Sequence, residues 1–485
     1  MKLNKIIYGG LLSSLVIASS CKKDLDLQPY NSLEAEDAFN TPSDFTNALN
    51  GMYRGFATAG SYTAGEYLVL ADLVADNFTR STSISRGTGA TYYLWQYTSE
   101  ATSGLWGNGY NIIRRANGII QNINNLPAGT FRNNAEGEAR AARALVHFDI
   151  SRVYAKIYAN SNPTTDLGVP YVTTTDFNIK PARPTLQVTY DSVISDLKIA
   201  YDRIALTNAA AGFSRIRLNK AAVAGILSRV YLHMHDWANT RNWADSSLKY
   251  NSNPGSLANF PRIWTDETEE GVLFKVRFTE KDNVSVGVQH QQFSSSGYRS
   301  EFVPEYTLWQ QYTNNDVRKT SYFETSRYPG ASGALYNHII KYAKRPTGCL
   351  NVVDVKVIRV AEVLISRAEA RYNLGDEPGA LADLNNLMSN RYTGFVPFTS
   401  ATLSGTALRD EIYRQRRLEL FAEFDRWFFL KRMNLPIVRP NTGDQANGTG
   451  VTPPPNALTL PTTDPRYQRL PIPRAELNAN PNLQP

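Results

Sequence analysis

The sequence predicts a mainly α-helical protein, built as a scaffold of helical pairs that carries a loop-rich lobe and a few short strands. Three observations predict it. Apolar residues recur every three to four positions through five long segments, strand-like alternation is clear at one place only, and two long stretches fit neither pattern.

The elements follow in chain order. Between Asn133 and Tyr158, Ala139, Ala142, Leu145, Val146, Ile150 and Val153 fall along one helical face. Thr185 to Ile204 places Val188, Ile194, Leu197 and Tyr201 at helical spacing. Asn219 is placed to cap a helix running to His235, with Ala222, Ile226, Val230 and Met234 four apart. Gly271 to Phe278 (GVLFKVRF) alternates Val272, Phe274, Val276 and Phe278 with their neighbours and reads as a strand. A helix is expected from about Lys356 to Leu374, stopping at Gly375; Asp376 then caps the next, with Pro378 in its first turn. The last long helix is expected from about Thr406 to Met433. The segments 368–387 (AEARYNLGDEPGALADLNNL) and 224–250 each resemble a tetratricopeptide repeat, although no clean 34-residue period runs through the chain. Residues 436–465 hold seven prolines with little apolar pattern and read as an extended surface loop. Residues 279–304 are rich in Ser, Gln and Gly and also read as loop, with Phe293 and Tyr298 embedded.

The first residues set the location. Lys2 and Lys5 precede an apolar run from Ile6 to Ala18, and Ser19 and Ser20 are the small residues that a signal peptidase needs. The run is shorter than the roughly 20 residues that span a bilayer. Cys21 follows directly, the arrangement of a lipoprotein signal in which the thiol is acylated and becomes the mature N-terminus. Residues 1–20 are therefore expected to be removed, leaving an N-terminal part (21–250) and a C-terminal part (251–485) as one compact unit. Cys349 is the other cysteine; with Cys21 lipidated, no disulfide is available and a large core must hold the fold.

Charge and motifs exclude several functions. A formal charge of +7, two of it from Lys2 and Lys5, is a weak field over this length and no case for nucleic acid. No phosphate loop, zinc-protease helix or serine-hydrolase elbow occurs. Gly107 and Gly109 begin a dinucleotide-like pattern, but Ile112 occupies the place of the third glycine. His233 and His235 point different ways on a helix, so no metal pair forms, and no cofactor is expected. Asp72 and Asp76 share a helical face, but one turn apart they do not flank a cleft as a glycosidase pair would. In the final helix, Arg416 with Glu419 and Glu423 with Arg426 are spaced for ion pairs, read as a buried network.

Beyond these readings, the sequence resembles the SusD/RagB family of surface lipoproteins over almost its whole mature length. LDLQP and ALNGMYRGF are similar to the family's opening, LWGNGYNIIRRANGII to its early helix and LGVPYV to the connector that follows. RPTLQVTYDSVISDLKIA and RLNKAAVAGILSRVYLHMHDW resemble the middle helices. VIRVAEVLISRAEARYNLGD, RRLELFAEFDRWFFLKR and LPIPRAELNANPNLQP resemble the C-terminal half and are the most specific. Gln415 stands where the family usually has glutamate, Phe424 where it favours glycine, and Phe429 where aspartate is common. The resemblance implies a tetratricopeptide-like scaffold with a ligand-binding lobe. It also implies a place on the outer face of the outer membrane, over a SusC-like TonB-dependent transporter that receives oligomeric nutrients.

Glycan sites combine aromatic platforms with hydrogen-bonding side chains. Two loops qualify. Asn77 to Thr102 offers Tyr92, Tyr93, Trp95 and Tyr97 behind Arg80 and Arg86; the Ser/Gln-rich loop offers Phe293 and Tyr298. Trp95 and Tyr298 are the leading ligand contacts, with Tyr93, Tyr97 and Arg86 beside them in a concave site shared by both loops. Trp106 is assigned to helix packing. The function expected is non-enzymatic capture of an oligosaccharide; a peptide ligand and a secreted helical glycoside hydrolase are the alternatives.

Overall fold

A computed structural model describes residues 38–57, 65–81, 86–205, 215–282, 284–287, 290–329, 333–346 and 350–483. The expected signal sequence (residues 1–20), Cys21 and Cys349 lie outside the described residues.

Helices of seven residues or more are α1 (Pro42–Phe56), α2 (Glu66–Val74), α3 (Leu105–Gln121), α4 (Thr130–Tyr154), α5 (Leu186–Arg203), α6 (Lys220–Met234), α7 (Trp237–Leu248), α8 (Val360–Asn373), α9 (Glu377–Ser389), α10 (Gly405–Glu419) and α11 (Arg426–Arg432). Local chemistry sets their starts. Thr41 and Asp44 form a reciprocal capping box before α1, while Thr185, Asn219, Asp236 and Asp376 each accept a backbone N–H of the first turn of α5, α6, α7 and α9. Gly375, at φ +80°, makes the turn from α8 to α9 that a side chain would resist.

Each helix from α3 to α7 packs on its successor; α7 then meets α8, which packs on α9 and α10. This row of packed helices is the tetratricopeptide-like scaffold. Close approach depends on small residues: a Cβ on Gly109 of α3 would stand 2.7 Å from Ile150 of α4. One apolar core runs from Phe45 to Leu483, and a second cluster lies between α8, α9 and α10.

The described strands form antiparallel pairs. β1 (Phe78–Arg80) pairs with β5 (Phe302–Pro304), β2 (Val272–Val276) with β8 (Val355–Arg359), and β3 (Gln291–Ser294) with β4 (Gly297–Ser300). Of these, β2 and β8 contact α6 of the helical row. β6 (Phe323–Ser326) pairs with β7 (Tyr336–Ile339), and β9 (Ile437–Val438) with β10 (Thr459–Leu460).

Four expectations are corrected. Residues 355–359 are strand β8, so the helix begins at Val360; the β-branched run VVDVKVIRV precedes it without punctuation, and pairing with β2 ends the ambiguity. The Ser/Gln-rich stretch contains the β3–β4 hairpin, with Phe293 opposite Tyr298 and the Phe293 backbone held in both directions by the Asn351 side chain. The proline-rich stretch contains β9 and β10, and its Arg439 is buried.

The fourth is the last helix, which breaks between Glu419 and Arg426. Ala422 and Phe424 there adopt left-handed φ values of 58° and 62°. No Gly or Pro marks the break. Buried charge imposes it: Arg391 grips both oxygens of Glu419 at 2.8 and 2.9 Å, Arg359 bonds Glu419 and Glu423, and Lys341 holds Glu423 and the Phe421 carbonyl, each at 2.6 Å. The ion network is thus buried as expected, but with other partners. Arg416 pairs with Asp425 rather than Glu419, and Arg426 pairs with Asp76 rather than Glu423. Gln415, in place of glutamate, accepts from Arg318 at 2.8 Å.

Candidate ligand-binding groove

The single helical turn Ala90–Tyr93 leads into the loop that the sequence singles out. Trp95 adopts φ 53° and donates from Nε1 to the Val74 carbonyl at 2.9 Å. Tyr93 and Trp95 are buried, and both rings pack on Arg439, whose guanidinium lies 3.9 and 4.4 Å from their centroids. Tyr298 is buried as well, 4.6 Å from the Phe293 ring and 5.7 Å from that of His338. The expectation of a solvent-facing platform at Tyr93, Trp95 and Tyr298 is therefore corrected, because their ring faces are occupied by the protein's own side chains.

The two loops nevertheless meet. β1 pairs with β5, the Tyr93 ring lies 5.6 Å from that of Phe302, and Arg86 forms an ion pair with the buried Glu301. Phe293 remains half-exposed there, with the Lys344 ammonium 4.6 Å from its ring.

Tyr97 is placed differently. It stacks on Tyr92 at 6.3 Å, and its hydroxyl donates to the Arg466 carbonyl; burial raises its pKa. With 5% of its surface exposed, it lines a groove of about 420 Å³ between loop 97–100 and the C-terminal segment. Arg466, Arg469, Arg474, Ile472 and Leu477 line the other wall. Hydrogen bonds tie the C-terminal segment down: Arg474 N donates to Ser99 O across the groove and Leu470 N to Val153 O of α4, while the Thr102 hydroxyl donates to Pro471 O.

Two further grooves continue along the same segment. One of about 400 Å³ shares Ser99, Glu100 and Arg474 with the first and reaches the start of α3. The other, of about 410 Å³, shares Glu476 with the second and is walled by Trp106, Tyr110 and Phe177, the last 78% exposed with Arg114 at 5.4 Å from its ring. Trp106 does pack in the helical core as expected, 5.1 Å from Tyr154, and also borders this groove.

The charges of the Tyr97 groove are unevenly matched. Arg466 pairs with Asp464 at 2.6 Å and Arg474 with Glu100 at 3.0 Å, both largely exposed. Arg469 is half-buried and has no hydrogen-bond or ion-pair partner among the described residues; burial lowers its pKa. Arg183 donates to the Gly168 and Leu167 carbonyls, and burial together with the nearby Arg469 charge holds its pKa down at about 10. Arg466, Arg469 and Arg474 carried no sequence signal of a site, since RYQRLPIPRAEL reads equally well as a packing segment.

The acids weighed for hydrolysis are sealed. Asp72 is fully buried, accepts from Asn77 and the Ala422 N–H, and is pushed up to about 7 by burial. Asp76 is also buried, but Arg417 and Arg426 hold its carboxyl well below the usual range. Neither lines any of these grooves. Among the described residues no group of His, Cys, Asp and Glu is arranged to hold a metal ion, and no helix is long and apolar enough to cross a membrane.

Comparison with known proteins matches this architecture. A family model described as starch-binding, associating with the outer membrane, matches residues 23–232, and a SusD family model matches residues 260–484. SusD-like proteins P2 and P38 of Formosa agariphila are each 26% identical to this chain, P2 over 100% of it and 99% of its own length, P38 over 88% and 91%. A SusD superfamily protein from Bacteroides thetaiotaomicron superposes with a TM-score of 0.78 at 25% identity, covering 92% of this chain and 99% of its own. A SusD-like carbohydrate binding protein from Bacteroides vulgatus gives 0.76 at 19% identity, with 92% and 98% covered.

Proposed function

The chain belongs to the SusD/RagB family, and from that premise we propose that it is a cell-surface lipoprotein, anchored through Cys21, which captures oligosaccharides and passes them to a SusC-like TonB-dependent transporter in the outer membrane. The full-length likeness carries this reading: two family models account for residues 23–232 and 260–484, so scaffold and loop lobe are both present. A glycan is favoured over a peptide by one family model's starch-binding description and by the carbohydrate binding protein that shares the fold.

The geometry suits capture without chemistry. Three grooves in sequence along residues 465–483 give an elongated furrow, fit for an oligomer rather than a single sugar. Ile472, Leu477 and the edge of Tyr97 offer apolar surface to the C–H faces of sugar rings, and Thr98, Ser99 and the arginines offer hydrogen bonds. Arg86, which pairs with Glu301 where the two loops meet, is proposed as a second contact region. Such contacts contribute about 1 kcal/mol each beyond area burial, enough for micromolar capture at about −8 kcal/mol. Binding of that strength is readily reversed, as transfer to a transporter requires.

The test is a binding screen of residues 22–485 against oligosaccharides and peptides, with product analysis of each mixture. Binding of an oligosaccharide that is recovered intact is expected. Binding confined to peptides would replace the ligand class, and a cleaved oligosaccharide would overturn the reading.

A further inference from the structure

The positive charge in the Tyr97 groove is more than the described residues neutralise. Asp464 answers Arg466 and Glu100 answers Arg474, but Arg469 has no partner among the described residues. A second guanidinium, Arg183, is near enough for the Arg469 charge to lower its pKa. Arginine is an expensive residue to leave half-buried without a counter-charge. The apolar walls, Ile472, Leu477 and Pro471, make that cost greater by limiting hydration. The buried Arg359, Arg391 and Arg439 each have abundant partners. Arg469, half-buried without one, faces a groove large enough for several sugar rings and framed by Tyr97 and the hydroxyls of Thr98 and Ser99.

We infer that the Tyr97 groove binds an acidic oligosaccharide, with Arg469 forming a forked ion pair to one of its anionic groups, a carboxylate or a sulfate. The inference deepens the capture reading above and rests on it. A guanidinium presents two parallel N–H donors to two oxygens of a carboxylate or sulfate, a fit that lysine lacks. Arg183 adds positive potential without giving up its own carbonyl partners. Arg474 lies on the rim of two adjoining grooves, so it is placed to meet a neighbouring acidic residue of the same oligomer by exchanging its exposed bond to Glu100. A ligand anion thus completes a charge balance that the unliganded groove leaves open.

The experiment titrates three probes into the protein at low and high salt: a galacturonic acid tetrasaccharide, its carboxyl-reduced neutral counterpart, and a sulfated galactose tetrasaccharide. At least one acidic probe is expected to bind ten-fold or more tighter than the neutral one, and the advantage should shrink as salt rises. Whichever acidic probe binds better identifies the anion. Arg469→Ala and Arg469→Gln should both erase the advantage, lowering affinity for the acidic probe far more than for the neutral one. They should also melt no lower than the wild type, because removing an unmatched charge beside Arg183 relieves repulsion. Equal affinity for acidic and neutral probes, or an advantage that survives both substitutions, overturns the inference and leaves oligosaccharide capture standing. If no oligosaccharide binds while peptides do, the glycan reading falls and this inference with it.

Discussion

The guanidinium of Arg439 stands 3.9 Å from the ring centroid of Tyr93, and its nitrogens donate to five backbone carbonyls, those of Leu73, Val74, Ala75, Tyr93 and Ala457. Leu73, Val74 and Ala75 end α2, where carbonyls have no helical partner. One side chain from the proline-rich segment therefore closes a helix some 360 positions earlier and holds the aromatic loop beside the groove.

Arg439→Met should accordingly lower stability by about 3–5 kcal/mol, since it strands several buried carbonyls at about 1–3 kcal/mol each with partial relaxation. Arg439→Lys should recover only a fraction, because an ammonium has three donors and no planar face for Tyr93 and Trp95. Urea unfolding midpoints measure both. A loss below 1 kcal/mol for Met would remove Arg439 from its structural role.

That relationship also explains why the fold was more legible than the site. Helical periodicity and caps such as Asn219 and Asp376 act within a few residues, so local sequence reveals them. The run TYYLWQY has one composition whether its rings face water or a buried cation, and Arg439, which decides between the two for Tyr93 and Trp95, lies far away in sequence. Tyr97 differs because its partner is a backbone carbonyl at the groove floor. The break after Glu419 escaped for a similar reason. Arg359, Arg391 and Lys341 pull on that turn from other elements, and the apolar spacing continues through it undisturbed.

At the break, Ala422→Gly should stabilise the protein or leave it unchanged. Ala422 sits at φ 58°, a conformation that costs a non-glycine residue about 1–2 kcal/mol. A buried alanine in an ordinary helix would instead lose about 0.5–1 kcal/mol on the same change. A stability loss above 1 kcal/mol in thermal melts would show that the methyl packing outweighs the backbone strain. Phe424→Gly is expected to be destabilising despite φ 62°, because it removes the ring packed 5.1 Å from Tyr67.

Glu419 is the hub of the buried network, with Arg391, Arg359 and Arg318 all bonded to its carboxylate. Glu419→Gln leaves three buried guanidiniums short of one charge and should cost at least about 3 kcal/mol. Although burial opposes ionisation, Arg391 and Arg359 hold the carboxyl far below the usual carboxylate range. A depressed folded value means that the contribution is present above the unfolded value near 4.5 and is lost as pH falls below it. The gap between wild type and Glu419→Gln should therefore narrow in acid. A gap independent of pH down to 3 would contradict the ionised assignment.

Asp72 should do the opposite. It is fully buried, one carboxylate oxygen has no hydrogen-bond partner, and desolvation raises its pKa from 3.8 to about 7 despite the Asn77 and Ala422 bonds and the charge of Lys341. A folded value above the unfolded one means that the native state holds the proton more tightly. Stability is then greatest below about 4, declines as pH rises from about 4 to about 7, and is level beyond. A tenfold difference in proton affinity between the folded and unfolded chain is worth about 1.4 kcal/mol, so the decline amounts to a few kcal/mol. Asp72→Asn keeps an oxygen for Asn77 and Ala422 but cannot ionise. Its stability should match the wild type near pH 4 and exceed it at pH 8, and the difference between the two profiles isolates Asp72 from the buried histidines, which titrate identically in both proteins. Urea unfolding at pH 4, 6 and 8 reads this directly: parallel profiles would mean that Asp72 titrates as it does in the unfolded chain, and a variant weaker at every pH would mean that the amide disturbs the packing between α2 and the turn at Ala422.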